Sequence, residues 1–525
     1  MRPVVTAAEM RALDRATIED IGIPAFTLME TAGRAVAHVA MELLDDAEES
    51  AAVAAHVAVV CGPGNNGGDG FVAARVLRDL GIDAAVYLAT GRAVIRGDAA
   101  AHLAVYERAG GVVRMIDTPQ ALGDLGDAIA GAAVVIDALF GVGLSRPLEN
   151  HLADVVSLIN HASRRLAVDI PSGLDADTGR VLGVHVEADV TVTMGALKVA
   201  LAGAPGFAHC GAVDVADIGV PSGVLATQAV RAGLVEEADV ASWIPHVRLL
   251  DHKGRRGHVL VIGGMPGMRG AGRLCARAAL RAGAGLVTLA TAGEVTADDS
   301  VMTRALATNL GDLLANKQAI VIGPGLGQSE PAAGWLGEVL ASGVPAVLDA
   351  DALNLLAAAG HGEPGRLDVG DAIRQAAGPI VLTPHPGEAA RLLGTTAAEV
   401  EADRLAAART LAARAHAVVV LKGARTVVCD GTLEDDHCSI NPTGGPELAT
   451  GGSGDVLAGL IGALLAQGVP AADAARAGVY VHGLAGERAA TEHGRRGVVS
   501  SDLPLAIARV LETFRVPLET RAVSR

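Results

Sequence analysis

The sequence has few aromatic residues, few cysteines and no long hydrophobic run. Aromatic residues make up 2% of the 525 residues, whereas 66 residues are glycine and half of the chain is hydrophobic. The cores must therefore consist of alanine, valine, leucine and isoleucine between closely approaching backbones, which favours layered α/β packing. One hydrophobic core stops growing at roughly 250 to 300 residues, so at least two domains are expected.

The absence of long apolar stretches argues against a membrane protein. No run of about 18 uninterrupted apolar residues occurs, although the mean hydropathy is positive at +0.39. The N-terminal segment contains the charged residues Glu9, Arg11, Asp14 and Arg15, which leaves no room for the apolar region of a signal peptide. We therefore expect a soluble, cytoplasmic protein without a membrane partner.

The chain also lacks a basic run and paired cysteines. Lysine and arginine number 42 against 59 acidic residues, giving a net charge of −17, so duplex nucleic acid is not an expected partner. The five cysteines show no CxxC spacing. This pattern favours a reducing compartment and argues against both a disulfide framework and a thiol-ligated metal. The cysteines are Cys61, Cys210, Cys275, Cys429 and Cys438.

Two series of short apolar strands alternate with helical stretches. Such strands are typical of a parallel sheet covered by helices on both faces, so the predicted fold is two α/β domains, each a three-layer αβα sandwich and the first Rossmann-like. The pattern breaks near 225–245, and we predict domains over 1–225 and 240–515. The predicted strands are 56–60, 84–88, 132–138, 165–170, 189–194 and 211–218, then 258–264, 285–291, 319–325, 345–351, 379–385 and 417–423.

The first predicted strand leads into the glycine-rich segment CGPGNNGGDG at 61–70. We expect a loop here at the N-terminus of a helix, where free amides and the helix dipole bind phosphate. The segment formally matches the dinucleotide fingerprint G-x-G-x-x-G. Pro63 and the polar Asn65, Asn66 and Asp69 argue against that interpretation, as does the lack of an acidic residue after the second strand.

Polar residues also follow two later strands of the first series. Asp137 follows one strand, and Asp169, Ser172 and Asp175 follow the next. Ligands of open α/β sheets bind outside the carboxyl ends of the strands. A carboxylate, a hydroxyl and an amide oxygen at this edge would form an all-oxygen shell, which suits a hard cation and not zinc.

These motifs resemble the NAD(P)H-hydrate epimerase family, the N-terminal YjeF domain. The matching segments are GPGNNGGDG, DALFGVGL, AVDIPSGLDADTG and TMGALK, and the resemblance spans nearly all of residues 1–220. It implies a potassium ion held by Asn66, Asp137 and Ser172, with Asp169 as the candidate proton-transfer residue. It also implies that the hydrated dinucleotide contacts Asn65, Asn66, Gly67, Gly68, Asp69, Gly141, Val142, Gly143, Leu144, Ser145, Arg146, Pro147 and Asp169.

Structural interpretations of the same residues stay open. An asparagine or aspartate in a glycine-rich turn is commonly there for backbone geometry. Gly67, Gly68 and Gly70 are expected to serve positive φ angles or close approach and need not contact a ligand. Lys198 could sense substrate phosphate or act as an acid or base, but a single lysine is more often a solvated surface group.

The strongest motif of the second half is ATGGSGDVLAGL, in which Gly451 to Asp455 stand at the start of a predicted helix. Small residues let consecutive backbone amides point into one concavity, where they stabilise charge on a phosphoryl group. The carboxylate of Asp455 can then accept the proton of an attacking hydroxyl. No G-x-x-x-x-G-K-[ST] sequence occurs, so a P-loop is excluded.

The GGSGD motif resembles the ribokinase-like kinases, and further motifs narrow the resemblance to the ADP-dependent NAD(P)H-hydrate dehydratases over about 245–510. These motifs are LVIGGMPGMRGAGRL, GPGLG, LTPHPGEAARLL and KGART. The resemblance implies a ribokinase-like αβα domain, ADP as co-substrate and Mg²⁺ with no ligands identified. By position, the hydrated dinucleotide would contact Ala271, Gly325, His385 and Asp455, and the adenine nucleotide would contact Lys422, Gly423, Ala424, Arg425, Thr426 and Gly454.

Two details of this half weaken single assignments. The family often has Asn and Gly where this chain has Gly445 and Glu447, which puts the local loop shape in doubt more than the chemistry. His385 lies between Pro384 and Pro386 and could simply hydrogen-bond a turn.

The sequence therefore predicts a bifunctional enzyme of nicotinamide nucleotide repair. One half would interconvert the R and S forms of hydrated NADH or NADPH. The other would dehydrate the S form with ADP, giving NAD(P)H, AMP and phosphate. Two alternatives stay open: a small-molecule kinase fused to a regulatory domain, and an N-terminal half that is a binding or scaffold module. A homo-oligomer is compatible with the sequence.

Overall fold

The computed structural model describes residues 1–48, 56–293, 298–360, 373–433 and 437–514. The chain divides into two compact units: Pro3–Val230, and Met1–Arg2 together with Arg231–Arg525. Among the described residues, no helix has both the length and the apolar character needed to cross a membrane.

The N-terminal unit is built on a parallel sheet. Its strands are β1 (Arg2–Val5), β2 (His56–Cys61), β3 (Asp83–Leu88), β4 (Val113–Met115), β5 (Val134–Ala138), β6 (Arg165–Val168), β7 (Val190–Met194), β8 (Leu197–Lys198) and β9 (Ala212–Ala216). The main sheet has the order β4-β3-β2-β5-β6-β7-β9, and every neighbouring pair in it is parallel. Separately, β1 pairs in parallel with β8.

Helices cover both faces of this sheet. Alternate residues of β2 belong to two different core clusters: Val57 and Val59 pack on one side, and Ala58 and Val60 on the other. This arrangement confirms the predicted sandwich. The helices are α1 (Ala7–Arg15), α2 (Ala25–Glu48), α3 (Asn65–Asp79), α4 (Gly97–Arg108), α5 (Pro119–Gly131), α6 (His151–Ile159), α7 (Val199–Ala202) and α8 (Ser222–Thr227).

Helix α1 begins where its sequence provides a cap. The backbone amide of Glu9 donates to the Thr6 hydroxyl at 3.2 Å, and the Glu9 carboxylate accepts from the Thr6 amide at 2.7 Å. This capping box satisfies two amides that have no partner within the helix. A π-helical turn over Ala16–Ile21 continues the segment.

The C-terminal unit contains a larger, mixed sheet. Its strands are β10 (Ala232–Leu234), β11 (His258–Ile262), β12 (Leu286–Thr291), β13 (Met302–Ala305), β14 (Ala319–Ile322), β15 (Ala346–Leu348), β16 (Ile380–Leu382), β17 (Val418–Leu421), β18 (Val427–Asp430) and β19 (Cys438–Ile440). Within this unit the order is β13-β12-β11-β14-β15-β16-β17-β18-β19-β10. Pairing is parallel from β13 to β17, and β18 is antiparallel to both of its neighbours.

The helices of this unit pack on that sheet. They are α9 (Glu237–Trp243), α10 (Arg269–Arg281), α11 (Glu330–Ala341), α12 (Asp351–Gly360), α13 (Pro386–Leu393), α14 (Ala397–Ala402), α15 (Arg404–Ala415), α16 (Ser453–Ala466), α17 (Ala471–His493) and α18 (Leu503–Leu511). Helix α16 is buried from Val456 to its end. A Cβ atom at Gly459 would overlap the Cys275 carbonyl of α10, so the two helices pack backbone to backbone.

Every strand predicted from the sequence is present, within a few residues at its ends. The strands that the sequence did not predict are only a few residues long, and β4 and β13 lie at sheet edges with partly exposed residues. A short edge strand shows little hydrophobic alternation in its sequence, because it has a neighbouring strand on only one side and its residues stay partly exposed.

One expectation about the cysteines is wrong. Cys429 of β18 and Cys438 of β19 are directly opposed in the antiparallel register and form a disulfide. Their spacing of nine residues resembles no motif, and only the hairpin brings the two Sγ atoms together. Cys61, Cys210 and Cys275 are buried as thiols.

The turn from β2 into α3 yields a test of packing. A Cβ atom at Gly62 would overlap the carbonyl oxygen of Leu139, whereas a Cβ atom at Gly64 would meet nothing within 4 Å. We expect Gly62→Ala to destabilise the fold by about 1–3 kcal/mol, as overpacked sites do. Calorimetry of the full chain should show a lower unfolding midpoint for Gly62→Ala than for Gly64→Ala. Equal midpoints for the two variants would contradict the close approach.

Candidate functional site

The N-terminal unit has a cavity of about 500 Å³ at the carboxyl edge of its sheet. Its walls come from α1, α2, the start of α3 and the loops after β5, β6 and β7. The polar residues that line it are Arg11, Asp14, Asn65, Asn66, Asp69, Asp98, Asp169 and Lys198. Apolar residues such as Met29 and Phe140 complete the walls, so the cavity suits a ligand with both a flat apolar part and polar groups.

The glycine-rich segment differs from its predicted form. Helix α3 begins at Asn65 after the N-cap Gly64, so Asn66 and Asp69 lie in its first two turns and not in a loop. Gly67 and Gly68 are there for close approach, because a Cβ atom would overlap the Gly62 carbonyl at the first position and the Met29 sulfur at the second. The sequence prediction of a loop is therefore wrong, since tight packing here favours glycine inside a helix.

A buried ion pair occupies the floor of this cavity. The Lys198 ammonium lies 2.7 Å from the Asp169 carboxylate, and these side chains are only 1% and 11% exposed. Lys198 also donates to the Met194 carbonyl at 2.6 Å, and Thr193 donates to Asp169 at 3.2 Å. The expectation that Lys198 is a solvated surface group is wrong, because its side chain is buried and paired with Asp169.

Two further carboxyl groups lie near this pair. Burial and the negative charge of Asp169 raise the pKa of Asp69 well above its usual value, although the Lys198 charge opposes the shift. Burial also raises the pKa of Asp14, which is on α1. The cavity thus combines the Lys198–Asp169 pair with two carboxyl groups that retain a proton to higher pH than exposed aspartates do.

Asp137 and Ser172 form a hydrogen-bonded pair. The Ser172 amide and hydroxyl donate to the Asp137 carboxylate at 2.8 and 2.7 Å. Burial raises the pKa of Asp137 to about 6, although the hydrogen bonds from Ser172 and Leu139 oppose the shift. Because Asp137 is fully buried, its ionised form would benefit from a cation.

Asn66 lies beside Asp169. A Cβ atom at Gly141 would be 2.9 Å from both the Asn66 Oδ1 and the Asp169 Oδ2 atoms. Among the described residues, the buried Asn66 Nδ2 atom has no hydrogen-bond partner. Such a group calls for an explanation, and a ligand that accepts a hydrogen bond is one.

The predicted residues thus fall into two groups. Those of α3 and the loop up to Leu144 converge on the cavity. In the described part of the chain, the cavity walls do not include Gly67, Gly68, Ser145, Arg146, Pro147, Asp137 or Ser172.

The second unit places GGSGD at the start of α16, as predicted. Gly452 is the N-cap with a φ of 91°, and Ser453 begins the helix. The amides of Gly454 and Asp455 fall in the first turn, where helical geometry provides no acceptor. Burial and the charge of Asp349 raise the pKa of Asp455 to about 7, while the Lys422 charge opposes the shift.

A charged network surrounds Asp455. The Lys422 ammonium lies 2.7 Å from Asp349 and 3.8 Å from Glu388, and the Thr383 hydroxyl donates to Asp349 at 2.8 Å. These residues follow the adjacent strands β15, β16 and β17, so the parallel sheet delivers them to one edge. A Cβ atom at Gly454 would lie 3.2 Å from the Lys422 Nζ atom, which places Lys422 against the predicted anion site.

His385 caps α13. Its Nδ1 atom accepts from the Gly387 amide at 3.1 Å and the Glu388 amide at 3.3 Å. Burial and the charges of Lys422 and Arg391 lower its pKa, which favours the neutral imidazole. The turn interpretation of His385 is therefore correct, and its half-exposed ring also faces the Lys422 network.

The remaining predicted residues lie on neighbouring loops. A Cβ atom at Gly325, where φ is 58°, would be 3.2 Å from the Ala271 Cβ atom, so these two residues adjoin. Gly423 packs against the guanidinium of Arg404, and the Thr426 hydroxyl donates to the Gly423 carbonyl at 2.9 Å. Arg425 between them has a φ of 52°, and with Ala424 it completes a tight turn after β17.

Sequence reasoning missed Asp14, Asp349 and Glu388 and undervalued Lys198. One signal was present, because the chain has four lysines against 38 arginines. Two of the four, Lys198 and Lys422, form the buried ion pairs.

Family models match both halves of the chain. The model described as YjeF-related protein N-terminus matches residues 25–200, and the model described as NAD(P)H-hydrate dehydratase matches 259–509. A bifunctional NAD(P)H-hydrate repair enzyme Nnr from Moorella thermoacetica is 41% identical over 98% of each chain. The chain belongs to the family of bifunctional NAD(P)H-hydrate repair enzymes.

Two further proteins are also similar to this chain. The Escherichia coli enzyme of the same name is 36% identical over 96% of this chain and 93% of its own length. A crystallised ADP/ATP-dependent NAD(P)H-hydrate dehydratase from Bacillus subtilis is 31% identical, covers 54% of this chain and 98% of its own, and has a TM-score of 0.47. Membership through both halves does not favour a kinase fused to a scaffold.

The Asp169–Lys198 pair can be tested by a thermodynamic cycle. Asp169→Asn leaves the buried Lys198 ammonium without its counter-charge, so we expect a loss of about 3–5 kcal/mol in the free energy of unfolding. Adding Lys198→Met removes the stranded charge, and the double variant should regain most of the loss. Urea unfolding measures both effects. Additive losses in the double variant would show that the two charges are not coupled.

Proposed function

We propose that the chain repairs hydrated NADH and NADPH. The N-terminal unit interconverts the R and S epimers, and the C-terminal unit dehydrates the S epimer with ADP, releasing NAD(P)H, AMP and phosphate. One observation carries the proposal: Asp455, whose pKa is raised to about 7, stands at the N-terminus of α16 beside the Lys422–Asp349 pair. A base of that pKa is poised to take a proton at neutral pH.

Dehydration follows from this arrangement. The hydroxyl oxygen of the substrate ring attacks the terminal phosphorus of ADP, and AMP leaves. Asp455 accepts the proton of that hydroxyl group during the attack. The first-turn amides of α16 and the Lys422 ammonium stabilise charge on the transferred phosphoryl group. The ester then departs as phosphate while the adjacent ring carbon loses a proton, which forms the C=C bond. Hydroxide is thereby replaced by a better leaving group.

Mg²⁺ fits the donors near this site. The charges of Asp349 and Asp351 both raise the pKa of Asp455, so each of these carboxyl groups is near enough to Asp455 to act on its charge. Carboxylate oxygens are ligands that Mg²⁺ prefers. When bound with the nucleotide, the ion would neutralise charge on the phosphate oxygens.

For epimer exchange, we propose Asp169 as the proton-transfer residue, with Lys198 holding its carboxylate in place. The cavity beside the pair would take the nicotinamide end of the substrate. We further propose that Asn66, Asp137 and Ser172 hold K⁺. The fully buried Asp137 carboxylate supports an oxygen-ligated cation, which would supply charge compensation there.

The proposal also covers the domain bounds, the location in the cell and the class of substrate. We place the two domains at 1–225 and 240–515, where residue 515 lies outside the described residues. We propose a cytoplasmic enzyme that acts on small molecules and not on nucleic acid, in keeping with its charge of −17.

Crossed variants test the two-site assignment. Asp455→Asn removes the base, so we expect ADP-driven NADH formation to fall by at least about a hundredfold while epimer exchange continues. The double variant Asp169→Asn with Lys198→Met should lose exchange and keep dehydration of the S epimer. Chromatography of the epimers and absorbance of NADH measure the two activities.

Each variant is the control for the other, because each keeps one activity as evidence of folding. Replacing K⁺ with Na⁺ should slow epimer exchange and leave dehydration unchanged. Loss of both activities from the folded Asp455→Asn variant would overturn the assignment. ADP-driven phosphorylation of a stable alcohol without any hydrate would favour a kinase.

The pKa of Asp455 predicts the pH dependence of dehydration. Below about pH 7 the carboxyl group is protonated and cannot accept the hydroxyl proton. We therefore expect kcat/KM for dehydration to rise about tenfold per pH unit up to about pH 7 and then level off. Epimer exchange should not follow the same curve. A kcat/KM for dehydration that is flat between pH 5 and 9 would exclude Asp455 as the base.

A further inference from the structure

Two histidines and a glutamate meet on the N-terminal unit, away from the residues that line its cavity. His185 and Glu187 precede β7, and His209 ends the 3-10 turn Gly206–His209 before β9. The His185 Nε2 atom lies 2.8 Å from the Glu187 Oε1 atom and 3.0 Å from the His209 Nδ1 atom. The His209 Nδ1 atom is 2.9 Å from the same Glu187 oxygen.

Hydrogen bonding does not account for this triangle. A neutral imidazole nitrogen is either a donor or an acceptor, and an ionised carboxylate only accepts. If both ring nitrogens donate to Glu187, their two hydrogens face each other across the 3.0 Å edge. If only one nitrogen carries a proton, the lone pair of the other faces the carboxylate oxygen at hydrogen-bond distance. In either state, one short edge joins two atoms of like polarity.

A metal ion removes this conflict. Zn²⁺ takes imidazole nitrogen and carboxylate oxygen ligands at about 2.0–2.2 Å, and an ion above the triangle reaches all three atoms at such distances. We propose that His185, Glu187 and His209 form a binding site for a divalent transition metal, with Zn²⁺ as the probe ion.

The surroundings suit such a site. The side chains of His185 and His209 are 19% and 24% exposed, and that of Glu187 is 46% exposed, so water can complete the coordination. Two imidazoles with a carboxylate favour Zn²⁺, Ni²⁺ or Fe²⁺ over Mg²⁺ or Ca²⁺. The nearby Arg165 is paired with Asp189 at 2.8 Å, so its charge is already compensated.

The site would fasten the segment before β7. The Ala188 amide donates to the His209 carbonyl at 3.0 Å, and the Val186 amide donates to the Ser172 carbonyl at 2.9 Å. The backbone of His185 also packs against Gly173. A metal at this position therefore links the turn before β9 to the backbone that carries Ser172, and we assign it a stabilising role.

Zn²⁺ binding to the untagged full chain tests the proposal. The chelator-treated protein should bind one Zn²⁺ per chain in competition with a chromophoric chelator, and Zn²⁺ should raise the unfolding midpoint. His185→Ala, His209→Ala and Glu187→Gln should each weaken binding by about tenfold or more. Co²⁺ in place of Zn²⁺ should give visible absorption that the variants lose.

The matched control is His38→Ala. His38 lies 3.5 Å from Glu42 on α2 and both side chains are well exposed, so it forms a histidine–glutamate pair without the third ligand. This variant should bind Zn²⁺ as the parent does. Zn²⁺ binding that is as tight in the double variant His185→Ala with His209→Ala as in the parent protein would overturn the proposal. This result does not depend on the catalytic assignment.

Discussion

Each half of this molecule depends on a lysine ammonium that is largely shielded from water and paired with an aspartate carboxylate. Lys198 meets Asp169, and Lys422 meets Asp349, each at 2.7 Å. Two buried charges are stable together only if they stay close and their remaining hydrogen-bonding groups are satisfied. Thr193 and the Met194 carbonyl meet that demand in the first pair, and Thr383 meets it in the second.

The parallel sheet explains why each pair lies where it does. Strand ends at one edge bring together side chains that are far apart in sequence, and ligands bind outside that edge. The two edges differ in what surrounds the pair. In the first unit a cavity encloses it with the carboxyl groups of Asp14 and Asp69, which suits proton movement. In the second unit the pair faces the start of α16, which suits a phosphoryl group.

Much of this architecture follows from local pattern. Apolar runs such as 258–264 and 319–325 predict buried parallel strands, because a short continuous apolar run is stable only where both faces of the strand are covered. The GGSGD motif predicts a helix start, because its small residues leave backbone amides accessible. Asp349 and Glu388 were not predicted because their importance comes from the neighbour that folding brings to them. The burial of Lys198 and the Cys429–Cys438 bond were missed for the same reason.

The segment after β2 shows how a local pattern can mislead. Five glycines within 61–70 favour a flexible loop by composition, yet α3 begins at Asn65. Glycine in a helix costs roughly 1 kcal/mol relative to alanine, and here close approach to Gly62, Met29 and Ala138 offsets that cost. Propensity alone does not report such packing.

The scarcity of lysine has a practical consequence for chemical labelling. Besides the N-terminus, only four primary amines exist in the chain, and two of them are sequestered in the ion pairs. A reagent that acylates amines will reach the exposed Lys253 first and Lys198, whose side chain is 1% exposed, last. The Lys422 side chain is 19% exposed and paired with Asp349, so its acylation should be slow but measurable. Mass spectrometry of the acylated peptides would therefore compare the accessibility of the two ion pairs in a single sample.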